Sequence, residues 1–177
     1  MSGAVRWLVI AGVVAIGLLV LIPLFRPSNG APAGPSSMVG QSAPVFNLRD
    51  DRGDAVSLAQ YRGKIVVMNL WASWCPPCRA EMPDLQTASR EYAKDGVVIL
   101  GVNQGESAER AGAFARSLDI DFPIWIDDTQ RYGRVYAALG LPTTIVIDRK
   151  GVVWRGFDGP LTIQQMRETI AQAVRAS

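Results

Sequence analysis

Cys75 and Cys78 are the only cysteines among 177 residues, and two residues separate them. They stand in Trp74-Cys75-Pro76-Pro77-Cys78, after the apolar run Ile65-Val66-Val67-Met68-Asn69-Leu70-Trp71 and before a helical pattern. A Cys-x-x-Cys pair at a strand-to-helix junction is the arrangement of a redox dithiol. If a helix starts at Pro76, Cys75 takes the N-cap, where unpaired N–H groups and the positive end of the helix dipole favour a thiolate. Lowering a cysteine pKa from about 8.5 toward about 7 raises the thiolate fraction at neutral pH from roughly 3 % to roughly half. Cys75 is therefore expected to be the attacking thiol. Cys78, one turn inside on the apolar face, is expected to be the buried partner that resolves the mixed disulfide.

The two prolines suit the first helical positions, where an N–H would be unpaired in any case. They also remove two donors from the neighbourhood of the Cys75 sulfur, leaving the N–H groups of Cys78 and Arg79. That opposes strong thiolate stabilisation, while the charge of Arg79 favours it. Glu81, three residues beyond Cys78, is close enough to exchange protons with the dithiol or to raise a thiol pKa. The same position also suits a solvated first-turn glutamate held by the helix dipole.

The chain has no histidine. This removes His-ligated zinc, Ser-His and Cys-His catalysis, and Cys-plus-His copper sites. Two cysteines cannot form a four-thiolate zinc knuckle. Thiol-disulfide exchange, two-coordinate binding of a soft ion such as copper(I), or plain burial are left. A copper(I) chaperone would be expected to carry a methionine or histidine cluster around the thiolates, and none is visible in the sequence. A peroxidase would need a lone cysteine after a Thr-x-x pattern, despite a peroxiredoxin-like start near Ala43-Pro44-Val45-Phe46. No metal and no cofactor is therefore expected.

The elements that must place the dithiol follow from periodicity. Val45 to Arg49 and Ala55 to Ser57 read as a hairpin joined through a turn-rich stretch, and Lys64 to Trp71 as a buried central strand. From Pro76 to about Lys94, Cys78, Met82, Leu85 and Tyr92 share one helical face, and Pro83 is expected to kink that helix without ending it. Further expectations are a strand at Val97 to Val102, a helix at Ser107 to Leu118 and a strand at Ile124 to Ile126. A weak helix at Gln130 to Leu139 would be capped by Gly140. Thr143 to Ile147 and Val152 to Phe157 read as a second hairpin. A last helix is announced by the capping box Thr162/Gln165, with Ile163, Met166, Ile170 and Val174 inward. This is an α/β pattern with a mixed sheet and helices on both faces. Trp125 and Trp154 read as core or surface aromatics, and Asp127-Asp128 as a solvated strand end.

Upstream, the nineteen residues from Trp7 to Phe25 carry no charge. At about 1.5 Å per residue they just span a hydrocarbon core of roughly 30 Å. Ala31-Pro32-Ala33 resembles a signal cleavage site, but the run exceeds the usual signal core of about 7 to 15 residues, so a retained anchor is expected. The sequence divides into a tail at 1–6, a membrane helix at 7–25, a Pro/Gly/Ser tether at 26–40 and a folded domain at 41–177. Arg6 and Arg26 are the only charges in the first forty residues, and the remainder balances 16 basic against 16 acidic side chains. The folded part is formally neutral without a basic stripe, so nucleic acid is not an expected partner. Arg6 and Arg26 also leave membrane orientation nearly balanced.

Trp74-Cys75-Pro76-Pro77-Cys78 after Asn69-Leu70-Trp71-Ala72, Pro83, and Gly140-Leu141-Pro142-Thr143-Thr144 before a strand together resemble the thioredoxin superfamily, and within it the membrane-anchored TlpA/ResA-like branch. Gly40 to Leu48 and Val102-Asn103-Gln104-Gly105-Glu106-Ser107 are similar to that branch as well, and the resemblance covers about residues 40 to 175. It implies a thioredoxin-like mixed sheet with an N-terminal β-hairpin and a central insertion. It also implies a cis peptide before Pro142, and a docking surface formed by Trp74, Pro76, Pro77, Leu141, Pro142 and Thr143. In thioredoxin a buried aspartate matches Asn69, whereas Glu81 matches the acid that ResA-like proteins use instead. The branch implies a disulfide reductase on the periplasmic or extracytoplasmic side of a bacterial cytoplasmic membrane, reduced by a membrane thiol carrier. Its expected substrates are exported protein disulfides, including those of apocytochrome c. General reduction or isomerisation of other exported proteins is the alternative. Pro76-Pro77 departs from the Glu-Pro of ResA-like sequences.

Overall fold

The structure is a computed structural model that describes residues 35–176. The membrane helix expected at 7–25 lies outside them. Among the described residues seven strands form one mixed sheet in the order β2-β1-β5-β4-β3-β6-β7. The strands are β1 (Leu48–Asp50), β2 (Ala55–Val56), β3 (Ile65–Trp71), β4 (Val97–Gln104), β5 (Ile124–Asp127), β6 (Thr143–Ile147) and β7 (Val153–Asp158). The helices are α1 (Pro76–Tyr92), α2 (Ala108–Ser117), α3 (Arg131–Val135) and α4 (Ile163–Ala176).

β3 is central and buried along its whole length, parallel to β4 and antiparallel to β6. Because successive side chains of a strand alternate faces, it divides the core in two. Ile65, Val67 and Trp71 join the cluster containing Met82 and Leu85 of α1, Ala111 and Ala115 of α2, and Met166 and Ile170 of α4. Val66, Met68 and Leu70 join the opposite cluster, with Leu58 and with Tyr132 of α3. Asn69 falls in the α1-facing row, a polar side chain in an otherwise apolar stripe. Gly101 on β4 is required there, since a Cβ would stand 2.9 Å from the Trp71 indole nitrogen.

The mixed sheet, both hairpins and the Thr162/Gln165 capping box agree with expectation. Pro83 lies inside α1, which continues past it to Tyr92. Three local readings change. The weak helix expected at 130–139 is only the short α3, because Ala137 enters left-handed backbone at φ 52 and stops it, while Gly140 does not adopt that conformation. Asp127 is fully buried and not a solvated strand end. Its carboxylate accepts from the N–H groups of Arg131 (2.8 Å) and Tyr132 (2.6 Å) and from Gln104 Nε2 (3.2 Å), and so fixes the start of α3.

The packed chain also reaches back to Pro35, ahead of the expected boundary at Gln41. Pro35–Met38 forms a 3-10 turn with Pro35 buried. Gly40 N–H donates to Val153 O (2.8 Å), Val153 N–H to Gln41 O (2.9 Å) and Ala43 N–H to Gly151 O (2.8 Å). The segment pairs with Val153 at the start of the edge strand β7, on the side away from β6. Gly156 makes the seat, since a Cβ there would lie 2.7 Å from Pro35.

Candidate active site

The C-terminal end of β3 delivers Trp71 into the core, and the chain turns through Ala72-Ser73-Trp74 into α1. Cys75 is the N-cap of α1, in extended backbone, with Pro76 and Pro77 as its first helical residues. The two cysteines are joined in a disulfide, with Cys75 3 % exposed and Cys78 fully buried. Cys78 N–H donates to the Cys75 sulfur at 3.3 Å. Arg79 N–H, the other donor expected near that sulfur, is used by the Cys75 carbonyl at 3.1 Å. The Arg79 guanidinium sits over the Phe114 ring at 5.5 Å, and Phe114 packs against Trp71 at 5.7 Å. The prolines thus leave the Cys75 sulfur a single hydrogen-bonding N–H from the start of α1.

Glu81 is not a solvated first-turn glutamate. It is 3 % exposed, and its oxygens accept from Asn69 Nδ2 (2.8 Å) and from Leu161 N–H (3.1 Å). Burial raises its pKa, the hydrogen bonds from Asn69 and Leu161 lower it, and the charge of Asp84 raises it again; the result is a carboxyl pushed up to about 7. A surface cavity of about 270 Å³ lined by Pro77, Asp84, Pro160 and Thr162 reaches it from outside. A carboxyl at that value populates both protonation states near neutral pH.

The docking candidates divide by exposure. Trp74 is turned outward, 61 % exposed, and lines a cleft of about 320 Å³ with Gln104, Gly133, Leu139, Gly140 and Leu141. Cys75 is enclosed within the apolar cluster that includes Trp71 and Ala72, against which Leu141 packs. Pro76 and Pro77 are exposed, whereas Pro142 and Thr143 are buried. The Leu141–Pro142 peptide is cis. The Thr143 hydroxyl is tied to Gly140 O (2.8 Å) and Asp158 (3.1 Å), so it braces this loop and is not presented to a partner.

Glu106 escaped the sequence reading. It is buried, and its carboxylate accepts from four donors: Ser73 N–H (2.7 Å), the Ser73 hydroxyl (2.6 Å), Asn103 Nδ2 (2.7 Å) and Arg110 Nε (2.9 Å). Burial pushes its pKa up, but the hydrogen bonds from Asn103 and Ser73 and the Arg110 charge outweigh burial and hold it below the usual carboxylate range. The effect is to pin the turn that carries Trp74 into Cys75. The sequence placed it in the stretch Val102 to Ser107 that resembles the TlpA/ResA-like branch, but as an acid one residue before the helix-capping Ser107, where a solvated charge is the ordinary expectation.

Comparison with known proteins places the chain among thiol-disulfide oxidoreductases. The model of the AhpC/TSA family matches residues 39–155. Over 130 residues the chain is 39 % identical to the thiol-disulfide oxidoreductase ResA of Geobacillus thermodenitrificans, covering 73 % of this chain and 75 % of that one. It is 34 % identical over 148 residues to ResA of Bacillus subtilis, covering 82 % and 83 %. Among solved structures, it is similar to a thiol:disulfide interchange protein of the thioredoxin family from Chlorobium tepidum. That match has a TM-score of 0.68 and 28 % identity, covering 75 % of this chain and 95 % of the other.

Proposed function

The chain belongs to the AhpC/TSA family and is a thioredoxin-like thiol-disulfide oxidoreductase, and from that premise we propose that it is a membrane-tethered reductase of exported protein disulfides. Cys75 attacks, Cys78 resolves and Glu81 handles the proton. The observation that carries the reading is the pairing of an N-cap cysteine with a buried cysteine one turn along, beside an enclosed carboxyl poised near neutrality.

In the reducing direction, the Cys75 thiolate attacks a substrate disulfide, forming a mixed disulfide and releasing one substrate thiolate. Cys78 then loses its proton, taken up by the Glu81 carboxylate, and its thiolate attacks the Cys75 sulfur. The mixed disulfide breaks, the second substrate thiolate leaves, and the Cys75–Cys78 disulfide forms. Two electrons have passed to the substrate, and a membrane dithiol carrier returns them in the reverse exchange. Trp74, Pro76, Pro77 and the backbone at Leu141–Pro142 receive the substrate segment, with the exposed indole as its apolar anchor.

The apolar run at 7–25 supports an anchor, and reduction of disulfides is useful in a compartment that generates them, outside the cytoplasmic membrane. The resemblance to the TlpA/ResA-like branch supports apocytochrome c among the substrates. The test combines two assays on the reduced protein, insulin-disulfide reduction and titration with copper(I). The proposal expects catalytic reduction of insulin; tight stoichiometric copper binding without reduction overturns it. Membrane fractions should retain the chain after alkaline extraction, with the dithiol domain digested by protease added from the outer side. A chain released by that extraction would contradict the anchor.

A further inference from the structure

Asn69 and Thr144 are directly opposed across the β3–β6 pair, and both are buried. Asn69 Nδ2 donates to Glu81 Oε1 at 2.8 Å and to Thr144 Oγ1 at 3.1 Å. Asn69 Oδ1, equally buried, has no hydrogen-bond partner among the described residues. An unsatisfied buried carbonyl oxygen is costly and uncommon enough to call for a reason.

As placed, this arrangement serves only ionised Glu81. Both carboxyl oxygens face donors, Asn69 Nδ2 and Leu161 N–H, so a protonated Glu81 finds no acceptor for its O–H in either of these partners. Turning the Asn69 amide over removes the conflict. Oδ1 then faces Glu81 and accepts from its O–H, while the Thr144 hydroxyl, which both donates and accepts, turns to donate to the same oxygen. On the far side Nδ2 takes the place of Oδ1, where no hydrogen bond to a described residue exists to be broken. Had Oδ1 been held by a backbone N–H, the amide would be fixed in one sense. We propose that Asn69 is a reversible hydrogen-bond partner of Glu81: its amide donates to the carboxylate and, turned over, accepts from the acid.

The inference rests on the proton-handling role of Glu81 and adds a reason for asparagine at this position. An amide that serves both forms lets Glu81 take and give a proton without losing a partner. The charge acting on Glu81 is that of Asp84 on α1. β3 and β6 face it with neutral Asn69 and Thr144, and the segment entering α4 with the Leu161 N–H. Asn69 is therefore a positioning residue that acts through Glu81.

The test uses the full chain in its disulfide form, where neither cysteine titrates. The Glu81 side-chain carboxyl carbon is followed by NMR against pH in wild type and in Asn69→Leu, with Glu81→Gln to assign the signal. Melting temperatures are measured at about pH 5 and about pH 9, on either side of the transition. A reversible partner supports both protonation states, so its loss should lower Tm by similar amounts at both pH values and move the Glu81 midpoint by less than about half a unit. A fixed donor would show Tm loss confined to the alkaline side and a midpoint raised by about one unit or more, and that result overturns the proposal. Asn69→Ala, which removes the same amide with a smaller side chain, carries the same test if Asn69→Leu does not fold. A wild-type carboxyl with no transition between these pH values would instead remove the proton-handling role of Glu81, and the inference with it.

Discussion

Ser73, two residues before the first cysteine, gives both its backbone N–H (2.7 Å) and its hydroxyl (2.6 Å) to the carboxylate of Glu106, 33 residues away in the chain. With Asn103 and Arg110 completing an all-donor shell, the position demands an acceptor with no hydrogen of its own. Glu106→Gln keeps the shape but sets an amide N–H₂ against N–H groups. It should cost about 3 kcal/mol of stability at neutral pH, measured by chemical denaturation. Because the folded pKa of Glu106 is depressed, its contribution is present above the unfolded value of 4.5 and is lost as pH falls through the folded one. The gap between wild type and variant should therefore narrow in acid. A gap independent of pH would show that the carboxylate charge is not what holds the turn.

Glu81 has the opposite sign. Its pKa rises from 4.5 to about 7 on folding, so between those values the folded chain binds the extra proton and stability falls as pH rises. The loss is on the order of 3 kcal/mol across that window. Glu81→Gln should flatten this slope, making the variant gain on wild type from pH 5 to pH 8, and should remove the limb near pH 7 from the pH-rate profile. An unchanged profile would take Glu81 out of the reaction.

Trp74 and Leu139 are 61 % and 58 % exposed on one cleft beside the dithiol, an unusual placement for large apolar side chains in a folded domain. Trp74→Ala should raise KM for a protein disulfide about tenfold, equivalent to about 1.4 kcal/mol, with kcat little changed. Reaction with a small disulfide should be unaffected. Equal losses with both substrates would mean that Trp74 supports the cysteines and does not recruit protein.

Gly156→Ala places a Cβ 2.7 Å from Pro35 and should lift the 35–43 segment from β7. Limited proteolysis should then cut within that segment at a protease concentration the wild type resists, with the dithiol reactivity intact. Unaltered resistance would mean that Pro35 yields without cost.

The central strand, the dithiol helix and both hairpins were legible in the sequence because each is set by local periodicity and turn chemistry: the apolar run at 65–71, the face shared by Cys78, Met82 and Leu85, and the Thr162/Gln165 box. The proximity of Glu81 to the cysteines followed from helical spacing. Its enclosure did not, since the groups that surround it, Asn69 and Leu161, are 12 and 80 residues away. Glu106 and Asp127 look like ordinary surface acids at element ends until the fold brings Ser73 and Gln104 onto them. The Pro/Gly/Ser composition at 26–40 suggested a tether throughout, but the seat for Pro35 is created by a missing side chain at Gly156. Such steric complementarity between distant residues leaves no local pattern.

The division of labour between Cys75 and Cys78 is the central claim, and mapping the mixed disulfide tests it most directly. Cys78→Ser, reduced and mixed with a disulfide-bonded protein, should accumulate a covalent complex whose peptide map joins Cys75 to a substrate cysteine, while Cys75→Ser forms none. Trapping through Cys78 in the Cys75→Ser protein, or no complex with either variant, would contradict the account.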